Sequence, residues 1–235
     1  MRAEYNQGNF EVNESYREIR TNLGINKNTK TILITSSEMD EGKTTISCNL
    51  ASCFAELEDT KVLLIDCDFT KRGVSRYFNI ENARGISDIV FGNNKPEECI
   101  QKVGYLDVIT SGARPSNTSI LLNSQSMKDK IKKFREEYDY VFIDSPPISR
   151  MNDACIITQY VDGTIIVNAV GAIDSRIAKI TLEKLNKVGA NILGVILNKF
   201  KPEKNEYYSY YSYYGYEDNK KRRLFGSKKH KKHKK

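Results

Sequence analysis

The chain has 235 residues, 39% of them hydrophobic and 29% charged, which admits one large α/β domain and excludes a wholly disordered chain. Its net charge of +7 is concentrated at one end: residues 220–235 hold ten Lys and Arg and no acid, whereas residues 1–219 hold 27 basic against 30 acidic side chains. Both histidines, His230 and His233, lie in that basic end, which excludes Ser-His-Asp, Cys-His and His-ligated metal chemistry from the body.

In chain order, MRAEYNQGNFEVNESY has no apolar stretch of the kind a signal peptide needs. Nowhere does an apolar run approach the roughly 18 residues of a membrane span. Residues 1–30 read as an N-terminal arm with a helix over 13–23 (NESYREIRTNL). Short, β-branched apolar runs then recur as expected strands: 31–36 (TILITS), 62–66 (VLLID), 107–110 (DVIT), 140–144 (YVFID), 164–169 (TIIVNA) and 192–197 (ILGVIL). Most are continuous rather than alternating, the pattern of parallel strands covered on both faces. Helices are expected between them at 43–57 and at 174–188, the latter behind Asp174 and Ser175 as caps. This predicts a doubly wound α/β domain, mainly parallel, over 1–200. Five dispersed cysteines (Cys48, Cys53, Cys67, Cys99, Cys155) without a C-x-x-C pair read as reduced thiols of a cytosolic protein. From Lys201 the composition changes to a Tyr/Ser low-complexity stretch and the basic run, neither of which can build a core, so 201–235 reads as a disordered tail.

The chemistry-bearing segment is ITSSEMDEGKTT (34–45), which leaves a strand and opens a helix. Gly42-Lys43-Thr44 has the form of the end of a phosphate-binding loop: backbone amides and the helix N-terminus receive phosphate oxygens, a lysine holds the β- and γ-phosphates, and a hydroxyl ligates Mg²⁺. By itself Gly-Lys-Thr is also an ordinary strand-to-helix turn. Two further strands end in acids, Asp66 and Asp68 in one and Asp144 in the other. Each alone is as well a turn or cap residue. Parallel strands, however, bring their C-terminal ends to one edge of the sheet, where ligands bind, so the three acids are expected to gather beside the loop. Mg²⁺ takes hard oxygen ligands and keeps waters, so one or two carboxylates with phosphate suffice.

With GKTT, LLIDCDFTKR (63–72) and VFIDSPP (141–147) in hand, the chain resembles the bacterial tyrosine kinases of the capsule and exopolysaccharide type, P-loop proteins related to the partition ATPases. RYFNIENARGISDIV (76–90), SGARPSNTSILLNS (111–124) and an E-x-x-R-x-x-R helix through Glu14, Arg17 and Arg20 extend the match over 13–216. The resemblance implies ATP and Mg²⁺ as cofactors. It implies nucleotide binding by Glu41, Gly42, Lys43, Thr44 and Thr45, with Asn198 toward the adenine, and metal binding by Thr44, Asp68 and Asp144. Catalysis would rest on Lys43 and Asp68, with Asp66 as the base toward a tyrosine hydroxyl. It further implies autophosphorylation at Tyr207, Tyr208, Tyr210, Tyr211, Tyr213, Tyr214 and Tyr216, and a homo-oligomeric ring built through Glu14, Arg17 and Arg20. Its implied partners are a membrane-anchored polysaccharide chain-length activator and a cognate tyrosine phosphatase, at the inner face of the plasma membrane, with no specific nucleic acid. Met39-Asp40 departs from the family's Pro-Gly, and Ser116, Thr118 and Ile120 replace residues of its 111–124 segment. Two other readings share the loop and the acids: a partition-type ATPase switch, against which Ser36-Ser37-Glu38 lacks the early lysine of those relatives, and a catalytically dead scaffold. The final basic run reads as a solvated tail, with anionic lipid, nucleic acid or the neighbouring phosphotyrosines as candidate ligands.

Overall fold

The computed structural model describes residues 10–24, 28–149, 151–171 and 174–200. The chain divides into two units, Met1–Lys199 and Phe200–Lys235. The tyrosine cluster and the basic run lie outside the described residues.

Helix α1 (Phe10–Gly24) leads into strand β1 (Thr31–Ser36), helix α2 (Lys43–Ala55) and strand β2 (Val62–Asp66). Short helices α3 (Gly73–Phe78), α4 (Ile86–Phe91) and α5 (Pro96–Cys99) precede a hairpin of β3 (Ile100–Val103) and β4 (Leu106–Ile109). Helices α6 (Thr118–Asn123) and α7 (Gln125–Glu137), strand β5 (Tyr140–Asp144), helix α8 (Asp153–Ile157), strand β6 (Gly163–Ala169), helix α9 (Ser175–Lys187) and strand β7 (Ile192–Asn198) complete the body. The seven strands are ordered β3-β4-β2-β5-β1-β6-β7, and every neighbouring pair is parallel except β3 with β4. The doubly wound, mainly parallel sheet expected from the continuous apolar runs is the sheet observed.

Alternating residues of the strands feed two cores. On one face Ile32, Ile34, Leu64 and Phe142 pack against Leu50 and Phe54 of α2 and Tyr16 of α1. Phe54 stands edge-on to Tyr140 and Phe142, with ring centroids 4.5 and 5.1 Å apart. On the other face Leu33, Leu63, Ile65 and Ile143 pack against Met127, Ile131 and Phe134 of α7 and Leu185 of α9. Every residue of β1, β2 and β6 is buried, which explains why their centres are continuous apolar runs rather than alternating ones.

Several elements differ from the sequence expectation. The hairpin strand β3 is absent from it: Ile100–Val103 is a half-buried edge with two polar residues among four, so it carries no strong apolar run. Helices α3 to α8 were not anticipated either, and α3 to α6 and α8 are too short, at four to six residues, to display a helical period. Helix α1 starts three residues earlier than the expected boundary, and α2 stops two residues sooner.

One buried-edge acid ties the N-terminal end of the sheet together. Asp162, just before β6, accepts from the amides of Lys30 and Thr31 and from the Thr31 hydroxyl, each at 2.9 Å, and Arg135 reaches it from α7 at 3.0 Å. Partial burial raises its pKa, but Arg135 and these amides outweigh that and hold the carboxyl below its usual range. We expect Asp162→Ala to lose about 2–4 kcal/mol at neutral pH in denaturant unfolding. Because the folded carboxyl is the stronger acid, the gap between wild type and variant should be full above about pH 4 and close as the pH falls through the lowered folded value.

Candidate active site

The strand order places the candidate residues. Strand β5 lies between β1 and β2, with Asp144 in register with Ile34 on one side and with Asp66 on the other. Asp66 and Asp144 therefore point from the same face, the face covered by α2. The loop after β1 turns directly over them, because α2 begins at Lys43.

The loop's turn depends on a left-handed residue before the helix: Gly42 has φ 90°. A Cβ there would lie 2.1 Å from Asn198 Nδ2, so both the backbone conformation and the space require glycine. Gly73 does the same service from the other side, since a Cβ there would come within 2.8 Å of Thr44. The loop is braced from within the protein. Glu41 is buried; Oε2 accepts from the Glu38 amide at 2.7 Å and Oε1 from the Ala169 amide at 3.2 Å. Asn198 Nδ2 donates to the Glu41 carbonyl at 2.8 Å.

Inside this frame Lys43, only 7% exposed, lies 3.0 Å from Asp68 Oδ2 and 3.4 Å from Asp144 Oδ2. Thr44 Oγ1 donates to Asp144 Oδ2 at 2.7 Å. Ser47, one helical turn on, places its hydroxyl 3.0 Å from Asp144 Oδ1 and 2.9 Å from the Lys43 carbonyl. Asp68 Oδ1 accepts from the amides of Thr70 and Lys71 at 3.2 and 3.0 Å, which shapes the loop after β2. Asp66 is completely buried, and its two oxygens accept from the amides of Asp68 and Val74 at 2.9 and 3.2 Å.

The electrostatics follow from burying like charges side by side. Burial, reinforced by Asp144, pushes Asp66 up to about 8. Burial also raises Asp144, against the pull of Lys43. Burial pulls Lys43 down, but Asp144 and Asp68 more than offset it and the amine stays charged. Asp68 is lowered, because Lys43 and the loop amides outweigh its burial.

The donor set fits the groups a phosphate-loop site takes. The hydroxyl of Thr44 and the carboxylates of Asp144 and Asp68 are hard oxygen donors suited to Mg²⁺. Among the described residues no group of three or more His, Cys, Asp or Glu is placed to hold a metal alone. Ser37 Oγ, at the start of the loop, is buried with no hydrogen-bond partner, as a loop built to receive further acceptors would leave it.

A family model described as an AAA domain matches residues 29–207. Tyrosine-protein kinase YwqD of Bacillus subtilis is 37% identical over 200 residues, covering 83% of this chain and 84% of that protein. The chain belongs to the bacterial tyrosine-protein kinases. Tyrosine-protein kinase CpsD of Streptococcus pneumoniae is 35% identical over 198 residues, covering 83% of this chain and 87% of that one. The crystal structure of the chimerical protein CapA2B2 superposes with a TM-score of 0.79 at 29% identity, over 84% of this chain and 88% of that one. This kinase thus carries the P-loop fold and its nucleotide site. No helix among the described residues is long and apolar enough to cross a membrane.

Of the residues the sequence singled out, Lys43, Thr44, Asp66, Asp68 and Asp144 come together, and Glu41, Gly42 and Asn198 form the loop's frame. Thr45 is exposed on the outer side of α2. Arg17 pairs with Glu14 on the surface at 3.1 Å, whereas Arg20 turns inward and donates to the Cys53 carbonyl at 2.6 Å, near the end of α2. Ser47 was missed; its place one turn after Lys43 on the same helix face was the available signal. We expect Gly42→Ala to weaken nucleotide binding by at least about tenfold while the circular dichroism spectrum is kept, because the strain falls on the loop and on the Asn198 side chain that braces it rather than on the helices and strands.

Proposed function

We propose that this kinase transfers the γ-phosphoryl group of ATP, with Mg²⁺, to tyrosines of its own C-terminal cluster, and that it thereby regulates capsular or extracellular polysaccharide biosynthesis and export. The observation that carries this reading is the single amine of Lys43 within 3.4 Å of both Asp68 and Asp144, beside the Thr44 hydroxyl. Lys43 exchanges those carboxylates for the β- and γ-phosphates when substrate enters, and the amides from Glu41 to Thr45 receive the remaining oxygens. Thr44, Asp68 and Asp144 hold the metal, whose charge offsets that of the phosphates. Asn198 contacts the adenine from the frame of the loop.

Asp66, which its pKa of about 8 leaves only partly ionised at neutral pH, takes the tyrosine proton in its carboxylate form as the tyrosine oxygen bonds to phosphorus and the β–γ bridge breaks, with ADP leaving. A base matters because a phenol of pKa about 10 is ionised only to about one part in a thousand at neutral pH. With both oxygens bound to amides of the 66–74 loop, Asp66 meets the hydroxyl only when that loop shifts. Substrate docking supplies the occasion for that shift. The substrate tyrosines are Tyr207, Tyr208, Tyr210, Tyr211, Tyr213, Tyr214 and Tyr216, offered by one subunit to its neighbour in a ring to which Glu14, Arg17 and Arg20 contribute. Each phosphate adds about −1.5 to −2 charge and works against renewed docking. A membrane-anchored polysaccharide chain-length protein activates the kinase at the inner face of the plasma membrane, and a cognate phosphatase resets the tail.

Incubation of the purified chain with ATP and Mg²⁺, with and without the cytoplasmic end of the activator, should place phosphotyrosine within 207–216. Lys43→Met should lower it by about a hundredfold or more. ATP hydrolysis without phosphotyrosine would instead identify a partition-type switch, and neither activity a scaffold. Asp66→Asn should keep nucleotide affinity within about threefold yet slow transfer by about 10²–10⁴. In light scattering the phosphorylated form should be smaller than the unphosphorylated ring; an unchanged assembly defeats that part of the reading.

A further inference from the structure

The phosphate loop carries an acid where an anion is to bind. Asp40 occupies the crown of the loop with φ 62°, a left-handed conformation that aspartate tolerates better than most residues. Its side chain is thrown outward, 79% exposed, and Oδ1 meets Lys71 Nζ at 2.7 Å. A second cation reaches the same residue: Lys199 Nζ lies 2.5 Å from the Asp40 carbonyl.

Lys71 is placed with care. Its amide donates to Asp68 Oδ1 at 3.0 Å, and its carbonyl accepts from the Arg76 guanidinium. Asp68 is the same carboxylate whose other oxygen holds Lys43. Two ion pairs therefore join the same two loops with opposite polarity: inside, a lysine of the phosphate loop meets an acid of the loop after β2; outside, an acid of the phosphate loop meets a lysine of the loop after β2. When Lys43 turns to phosphate the inner pair is given up. The outer pair has no such competing task.

We propose that Lys71 is a counter-charge residue: by neutralising Asp40 it keeps this phosphate loop an anion receptor, so nucleotide affinity depends on the pair. This rests on the reading of the 36–44 loop as the nucleotide site. An exposed pair adds little to fold stability, so its effect belongs to binding rather than folding. The hydrogen bond and charge of Lys71, joined by Lys199, hold the Asp40 carboxyl below the usual carboxylate range, so the acid is ionised and needs its partner. A bare carboxylate at the mouth of the loop repels a highly charged phosphate chain, and because the group is exposed that repulsion is one that salt screens.

The test is a double-mutant cycle on the full chain, with affinity for a fluorescent ADP analogue in Mg²⁺ as the readout. Lys71→Met should bind about tenfold more weakly, with an unchanged thermal midpoint. Asp40→Asn should bind at least as tightly as wild type. The double variant should return to within about twofold of Asp40→Asn, and the Lys71→Met loss should shrink at high salt. An unchanged affinity in Lys71→Met, or a loss that persists in the double variant, overturns the proposal; the second result assigns Lys71 a direct contact with the nucleotide. Lys43→Met is the separate control. If it binds as tightly as wild type, the site reading itself fails, whatever the Asp40–Lys71 pair does.

Discussion

Two carboxylates side by side in a dry sheet constrain everything around them. Asp66 and Asp144 are directly opposed in the register of β2 and β5, and both are fully buried. In a low-dielectric interior such a pair cannot stay doubly ionised without compensation. The compensation comes from outside the sheet: Lys43 from the first residue of α2, Thr44 and Ser47 from the same helix, and the amides of the loop after β2. This arrangement is a structure in waiting. The same lysine, hydroxyl and carboxylates that satisfy one another here are of the types that phosphate and a divalent ion require, so on the proposed reading ligand entry would exchange partners rather than order a new site.

The frame that holds this arrangement is spread along the sheet. Strands β1, β5 and β2 supply the floor, yet the loop above them is pinned from β6 through the Ala169 amide and from the end of β7 through Asn198. Because the Cβ-free surface of Gly42 lies against Asn198, the loop and β7 fit only in one arrangement. The two cores then fix the heights of α2 and α7 over the sheet, with Phe54 of α2 against Phe142 on one face and Phe134 of α7 in the core of the other. Rigid packing below and short polar ties above are what let a loop of small and charged residues keep one shape.

The family's Pro-Gly gives way to Met39-Asp40 in this chain, and the structure meets that change with charge. A left-handed aspartate preserves the turn, and its carboxylate is directed to Lys71 and away from the interior. The sequence alone put an acid near phosphate with no visible partner, since Lys71 is 31 residues away. Similarly, Arg20 reads as a surface residue of a contact motif, but it reaches back to the carbonyl of Cys53 because α1 packs along α2.

Periodicity and residue type were enough to establish the class of fold, because strands covered on both faces read as near-continuous apolar runs, and such runs alternating with helices are the pattern of a parallel sheet. They were enough, too, to mark Lys43, Thr44, Asp66, Asp68 and Asp144, since a glycine-lysine-threonine turn and strand-final acids each have a local signature. Strand order was beyond local pattern: β5 is inserted between β1 and β2, a pairing of residues 110 apart for Thr31 and Val141, and nothing in either segment names its neighbour. The half-buried hairpin edge β3 and the shortest helices escaped for a related reason, as four to six residues are too few to show a period. What only the tertiary structure decided was therefore partnership: which charge meets which. That depends on distances through space, and the chain folds residues far apart in sequence to within hydrogen-bond reach.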